Sequence, residues 1–75
     1  MEKVFVKVRG LCREDGDVEP LTLIWRDGRV WEISRVLHAS RSPDGAYPGV
    51  RYAVLIGNAE RYLYKDGSRW YVESS

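Results

Sequence analysis

Several residue types and motifs are scarce in this 75-residue chain, and each scarcity argues against a class of protein. The single cysteine, Cys12, excludes an internal disulfide and a cysteine cluster that could hold zinc. The single histidine, His38, has no neighbouring motif with which to act as a general base or a metal ligand. The chain contains no glycine-rich phosphate loop, G-x-S-x-G or H-E-x-x-H motif. We therefore expect no enzyme activity and no cofactor or metal.

Net charge and long apolar runs are lacking as well. Twelve Lys and Arg against eleven Asp and Glu leave a net charge of +1, so no global field draws the chain to nucleic acid or anionic lipid. No stretch approaches the roughly 18 apolar residues of a membrane span. The N-terminus alternates polar and apolar residues and has no apolar core of signal-peptide length. We expect a cytoplasmic protein without membrane contact.

What the chain does contain is a succession of short alternating segments. A length of 75 residues fits one small domain over residues 1–75, and 44% hydrophobic with 31% charged residues is typical of a folded protein. Lys3 to Cys12 places Val4, Val6 and Val8 on one side, as in a half-buried strand. We expect Cys12, at the end of this strand, to be a small buried residue.

The clearest pattern is a three-strand meander from Val50 to Glu73. The dipeptides Gly57-Asn58 and Asp66-Gly67 are hairpin turn sequences, and two-residue loops fix which residues face each other. The predicted register places Arg51 opposite Tyr64, Tyr64 opposite Arg69 and Tyr62 opposite Tyr71. The predicted core face carries one charged residue, Arg61, among apolar ones: Tyr52, Val54, Ile56, Ala59, Leu63, Trp70 and Val72.

A second hairpin precedes the meander. Asp27-Gly28 separates two strands, and a two-residue loop there pairs Ile24 with Trp31, which predicts a tryptophan on each face. From Ser34 to Ala39 the alternation breaks, which favours a β-bulge near Ser34 or Arg35, with a short helix as the alternative. Residues 40–49 form the longest loop. We expect an all-β domain of five to six antiparallel strands joined by tight hairpin turns, folded as an SH3-like or OB-like small barrel.

The other face of the meander is the candidate binding surface. Tyrosine and arginine alternate along it, and both can stack on or hydrogen-bond to a ligand. Tyrosine is also a common strand residue whose ring covers a sheet, so the pattern does not require a ligand. The predicted partner-binding residues are Arg51, Tyr62, Tyr64, Arg69 and Tyr71, with Tyr47 from the long loop.

Several stretches from Pro20 onward resemble a group of short uncharacterised bacterial proteins common in Gram-positive organisms. The stretches are Pro20-x-x-Leu23-Ile24-Trp25-x-Asp27-Gly28-Arg29-x-Trp31-x-Ile33-x-x-Val36-Leu37, Arg51-Tyr52, Glu60-Arg61-Tyr62-Leu63-Tyr64 and Gly67-x-Arg69-Trp70-Tyr71-Val72-Glu73. The resemblance implies a small all-β barrel and carries over no activity. The chain is also distantly similar to short actinobacterial proteins with a W-x-G-x-x-Y-x-V core that are associated with DNA-repair polymerases.

Two functions follow from these observations. In the first, the Tyr and Arg face binds another protein or a second copy of the chain, since these residues are enriched at interface hot spots. In the second, the tyrosines stack on bases of single-stranded or distorted nucleic acid while Arg51 and Arg69 contact phosphates, as an accessory to DNA repair. The near-neutral net charge favours the first.

Overall fold

The computed structural model describes residues 2–14, 18–41, 45 and 49–74, and in this part of the chain all regular structure is β-strand. Antiparallel strands form one curled half-barrel sheet in the order β3-β2-β1-β7-β6-β5-β4. The all-β prediction is confirmed. The described strands number seven: β1 (Glu2–Cys12), β2 (Val18–Ile24), β3 (Val30–Glu32), β4 (Arg35–Arg41), β5 (Val50–Ile56), β6 (Ala59–Asp66) and β7 (Arg69–Ser74).

The strands number seven rather than the predicted five or six because the chain changes its pairing partner between β3 and β4. β3 pairs with β2, whereas β4 pairs with β5. At this change the Ile33 amide donates to the Leu21 carbonyl of β2 (2.9 Å). The next amide, that of Ser34, donates to the Leu55 carbonyl of β5 (2.8 Å). Two adjacent residues therefore bond to strands near opposite ends of the sheet, which requires the sheet to curl.

The core lies on the inner face of the curled sheet. Leu63, Val54 and Leu23 are almost completely buried, and Tyr52 and Val6 complete the buried cluster. The predicted inward set keeps its predicted face, and of its members Ala59, beside the turn, and Arg61 are exposed. Partly buried residues of other strands pack around the cluster: Val8, Trp25, Trp31, Ile33, Val36, Val50, Ile56, Trp70 and Val72.

The two turns of the meander place glycine at the same position. The β5–β6 register is confirmed, with Ile56 opposite Ala59 and Arg51 opposite Tyr64. The predicted β6–β7 register is wrong, because Asp66 pairs with Arg69 and the loop is Gly67-Ser68. A loop at Asp66-Gly67 of the type I′ kind would need a positive φ at Asp66, whereas no described residue other than glycine has one. The shift is two residues, so every side chain keeps its predicted face.

The predicted register of the Asp27-Gly28 hairpin is also wrong. Ile24 pairs with Val30 and Leu23 with Trp31, so the loop is longer than two residues and the register moves by one. Within the loop the Trp25 amide donates to the Arg29 carbonyl (2.8 Å). Trp25 and Trp31 consequently share the inner side, where their rings meet edge to face with centroids 4.9 Å apart.

The region from Ser34 to Ala39 is bulged strand and not helix. Its register shifts between Val36 and His38, two to three residues beyond the expected place, so Leu37 is the extra residue and is exposed. Cys12 is exposed, in contrast to the expected burial. None of the described segments is a helix long and apolar enough to cross a membrane. The cytoplasmic location stays a prediction, and most of the long loop, including Tyr47, lies outside the described residues.

Gly49 provides a test of the β5–β6 contact. Its φ is +72°, and a Cβ at this position would overlap the Lys65 carbonyl of β6. Gly57 has a similar φ of +62° but open space around it. We expect Gly57→Ala to lower the free energy of unfolding by about 1–2 kcal/mol, from backbone conformation alone. Gly49→Ala should cost roughly a further 1–3 kcal/mol for overpacking. Urea unfolding of both variants measures the difference, and equal losses would contradict the close approach.

Candidate interaction surface

The outer face of the sheet carries a row of large side chains that crosses four strands. Strand register aligns Phe5 of β1 with Tyr71 of β7, Tyr71 with Tyr64 of β6, and Tyr64 with Arg51 of β5. Cross-strand neighbours on one face lie close enough for their side chains to pack. The structure therefore brings together five of the residues predicted to form a binding surface, and adds Phe5. The five are Arg51, Tyr64, Tyr71, the nearby Tyr62, and Arg69, which lies over the Phe5 ring.

Tyr64 and Tyr71 form the buried centre of this outer row. Their rings are stacked at an interplanar angle of 2° with centroids 5.0 Å apart. Only 7% of Tyr64 and 2% of Tyr71 is exposed, whereas an exposed platform was expected. The Phe5 ring packs on Tyr71 edge to face (5.8 Å), and Lys3 lies over the same Tyr71 ring (4.9 Å). These two tyrosines are thus a second packed layer and not free stacking surfaces.

Burial and charge set the pKa of both phenols. Desolvation raises the pKa of Tyr64 above its usual 10.0, and its hydrogen bond to the Glu73 carboxylate raises it further because the neutral phenol is the donor. A hydrogen bond from Arg51 acts in the opposite direction on the Tyr64 pKa. Desolvation also raises the pKa of Tyr71, with smaller contributions from the charges of Glu73 and Asp66.

Tyr62 is the tyrosine of this face that remains available to a partner. Its side chain is 45% exposed, and the Arg51 guanidinium lies 4.5 Å from the centre of its ring. Arg51 is half-buried and is anchored by Tyr64, so the cation holds Tyr62 from one side. The pair is a preorganised aromatic and cationic patch that can make both apolar contacts and hydrogen bonds.

A basic stripe on β1 was not among the binding residues predicted from the sequence. Lys3, Lys7 and Arg9 alternate with Phe5 along the outer face of β1, and Arg69 of β7 lies 4.2 Å from the Phe5 ring centre. Phe5 is 38% exposed beside this cation. The alternation of Lys3, Phe5, Lys7 and Arg9 was visible in the sequence, but only the β1–β7 register shows that Arg69 joins them.

A cavity of about 650 Å³ lies on the inner side of the half-barrel and reaches Arg51, Tyr62 and Glu73 of the outer side. Trp25, Trp31 and Leu23 form part of its wall, and the Nε1 atom of Trp25 is buried without an acceptor among the described residues. Arg61 also lines the cavity, with its guanidinium 5.2 Å from the Trp31 ring. The volume lies within the range of about 300–1,000 Å³ that is usual for ligand pockets.

The remaining predicted features take no part in this surface. His38 is exposed on β4 opposite Ala53. Within the described ranges no group of three or more His, Cys, Asp or Glu side chains is arranged to hold a metal ion. Comparison of the chain with protein-family models, with curated proteins and with solved structures gave no match. The resemblance to short bacterial proteins and the link to DNA repair therefore stay predictions.

Tyr62 and Tyr71 should respond very differently to truncation. Tyr71→Ala removes a buried ring from between Phe5 and Tyr64, and we expect a loss of about 3–5 kcal/mol in the free energy of unfolding. Tyr62→Ala removes a half-exposed ring and should cost less than about 1 kcal/mol. Chemical denaturation monitored by tryptophan fluorescence distinguishes the two. Similar costs would show that the outer row is not a packed layer.

Raised phenol pKa values predict an alkaline loss of stability. The folded state holds the Tyr64 and Tyr71 protons more tightly than the unfolded state, so their contribution is complete below pH 10 and is lost as pH rises through the folded pKa values. Tyr71→Phe should make the decline of Tm above pH 10 less steep, with the Tm at pH 7 as its reference. An unchanged decline would contradict the shift at Tyr71.

Proposed function

We propose that this chain is a protein-interaction module that binds a partner through the Tyr62 and Arg51 patch. The observation that carries the proposal is the exposure of Tyr62 beside a fixed guanidinium, on a base of buried tyrosines. A tyrosine already held in one orientation loses little conformational freedom on binding. Tyr and Arg are also the residues that most often form interface hot spots.

The burial of Tyr64 and Tyr71 argues against the alternative function, which is binding of single-stranded or distorted nucleic acid. Stacking of bases requires open ring faces, and these two rings stack on each other. The remaining exposed aromatic of the row, Phe5, already has the Arg69 guanidinium 4.2 Å from its ring centre. A base could stack on Phe5 only after Arg69 moved away.

One observation favours nucleic acid as a second candidate. The β1 stripe places Lys3, Lys7, Arg9 and Arg69 around Phe5, and local groups of cations attract phosphates even when the net charge is small. The carboxylate opposite Lys3 in the register is Glu73, which reduces this attraction at one end of the stripe. The nucleic-acid alternative therefore rests on charge. The salt dependence of the binding affinity distinguishes it from protein binding.

We also infer that the half-barrel is of the SH3-like or OB-like kind. The support is the chain between β3 and β4, whose adjacent amides bond to β2 and to β5. Small barrels use such a bent segment to serve both sheets. The inference concerns architecture alone, because unrelated functions occur on these folds.

The test of the proposed function compares three forms of the protein: wild type, Tyr62→Ala and Leu11→Ala. Leu11 is a matched control because it is an exposed large side chain at the far end of β1. Each form is immobilised, proteins of the source cell are captured and identified, and candidates are then titrated as purified proteins. We expect a partner whose Kd rises about thirtyfold or more with Tyr62→Ala, as at a hot spot, and is unchanged with Leu11→Ala. Solution mass shows whether this partner is a second copy.

Titration with labelled single-stranded DNA and RNA at two salt concentrations tests the nucleic-acid alternative. Protein binding through Tyr62 should change little with salt, whereas phosphate contacts weaken steeply as salt rises. Tight oligonucleotide binding that is lost in Arg69→Ala and retained in Tyr62→Ala would replace the proposal with the nucleic-acid alternative.

A further inference from the structure

The sheet is split between β6 and β7. Their pairing begins beside the turn at Asp66–Arg69 and extends only to Tyr64–Tyr71. Continuation of the same register would pair Tyr62 with Glu73, but this pair is not formed. Beyond the last pair β6 remains bonded to β5 up to Ala59, and β7 remains bonded to β1 up to Ser74. The two strands therefore diverge, each following its other neighbour.

Backbone groups of β6 point into this split. In an antiparallel ladder, alternate residues direct both their N–H and C=O groups to the same neighbouring strand. Tyr64 and Asp66 form the β7 pairs that continue from the two-residue turn, so Glu60 and Tyr62 direct theirs to the same side. Arg61, by the same alternation, directs its backbone groups to Val54 of β5. The edge at Glu60 and Tyr62 therefore offers two donors and two acceptors without a neighbouring strand.

The cavity opens at this split. Its lining includes Glu60 and Tyr62 from β6 and Val72 and Glu73 from β7, which are the segments that diverge. Side chains of adjacent residues in a strand lie on opposite faces, so a lining that takes in consecutive residues marks an opening through the sheet. A chain lying along the β6 edge would thus direct alternate side chains toward the inner cavity and toward the Tyr62 patch.

Arg61 determines which side chain fits on the inner side. It points inward, since it pairs with buried Val54 and lies over Trp31. Among the described residues no carboxylate forms an ion pair with it. Beside it, towards the turn, are Ala59, whose side chain is small, and a shallow pocket that is lined by Trp31, Ile56, Gly57 and Glu32 as well as Arg61. Glu32 lies at this pocket but forms no ion pair with Arg61 among the described residues. A cation that no described carboxylate contacts, beside the apolar side chains of Trp31 and Ile56, is complementary to an acidic side chain next to an apolar one.

We propose that the split binds an extended segment of a partner protein as an added strand on the Glu60–Tyr62 edge of β6. Backbone hydrogen bonds to Glu60 and Tyr62 place one residue of the segment directly opposite Arg61, on the inner side. This residue is Asp or Glu and forms an ion pair with the guanidinium. The residue two positions away, on the Ala59 side, is large and apolar and enters the pocket at Trp31 and Ile56. The proposal rests on the proposed function and names the binding mode and the partner chemistry.

Hydrogen exchange and peptide titration test the proposal together. In the free protein the Glu60 and Tyr62 amides should exchange faster than those of Arg61 and Leu63, which bond to β5. The probes are two capped peptides of threonine in which a Glu is followed or preceded, two positions away, by a Phe, so that both strand directions are sampled. We expect one of them to shift the Glu60 and Tyr62 amide resonances and to slow their exchange.

Substitutions in the protein and in the peptide test the specificity of binding. Arg61→Gln should weaken binding of the Glu peptide about tenfold, the loss of a charged hydrogen bond, and leave a Gln version of the peptide unaffected. Arg9→Gln, on the outer face of β1, is the matched protein control and should change neither. A peptide N-methylated at the residues that donate to the β6 edge should not bind: these are the residues beside the Glu in an antiparallel segment, and the Glu and the residues two positions from it in a parallel one.

Three results would overturn the inference. These are protection of the Glu60 and Tyr62 amides in the free protein, absence of any shift with either peptide at millimolar concentration, and equal binding by wild type and Arg61→Gln. If partner capture still depends on Tyr62 in any of these cases, protein interaction stands and strand addition is the part that fails. If capture does not depend on Tyr62 while the peptides bind as expected, the outer patch is wrong and the split is the site.

Discussion

Two neighbouring backbone hydrogen bonds, from the amides of Ile33 and Ser34, hold the shape on which the rest of the structure depends. They tie β2 to β5, strands that are otherwise separated by three strands in the sheet. A sheet tied in this way must curl, and curling produces an enclosed inner face where Leu23, Val54 and Leu63 exclude water. A domain of this size buries only about 60% of the surface that its unfolded chain exposes. The burial of one apolar face alone would therefore leave the folded state only marginally stable.

The outer face supplies a second layer that compensates for this small core. Tyr64 and Tyr71 stack on each other, while Lys3, Arg51 and Arg69 lie against the rings of the same row. Long cationic side chains cover apolar surface with their stems and keep their charge in water. This packing leaves Tyr62 exposed at the end of the row, and the same interactions that stabilise the sheet therefore decide which aromatic can meet a partner.

Much of the strand plan was readable from the sequence, because alternation and turn residues are local signals. The faces of Tyr62, Tyr64, Tyr71 and Arg69 were assigned correctly even though the β6–β7 register was wrong, since a slip of two residues preserves the side of each side chain. At Asp27-Gly28 the slip was one residue, and the side of Trp31 relative to Trp25 was therefore misassigned. Loop length is set by hydrogen bonds such as that from the Trp25 amide to Arg29, which a dipeptide motif does not reveal.

The burial of individual tyrosines and the split between β6 and β7 could not be predicted from the sequence, for a different reason. Whether Tyr71 is buried depends on Phe5, a residue 66 positions away that becomes its neighbour only through the β1–β7 pairing. The divergence of β6 from β7 likewise follows from competition between partners, because β6 is bonded to β5 along its length and β7 to β1. A curled sheet that keeps both of these ladders opens between them. The opening leaves a free strand edge beside Tyr62 and Arg61, so the curvature that makes the core also makes the most distinctive feature of the surface.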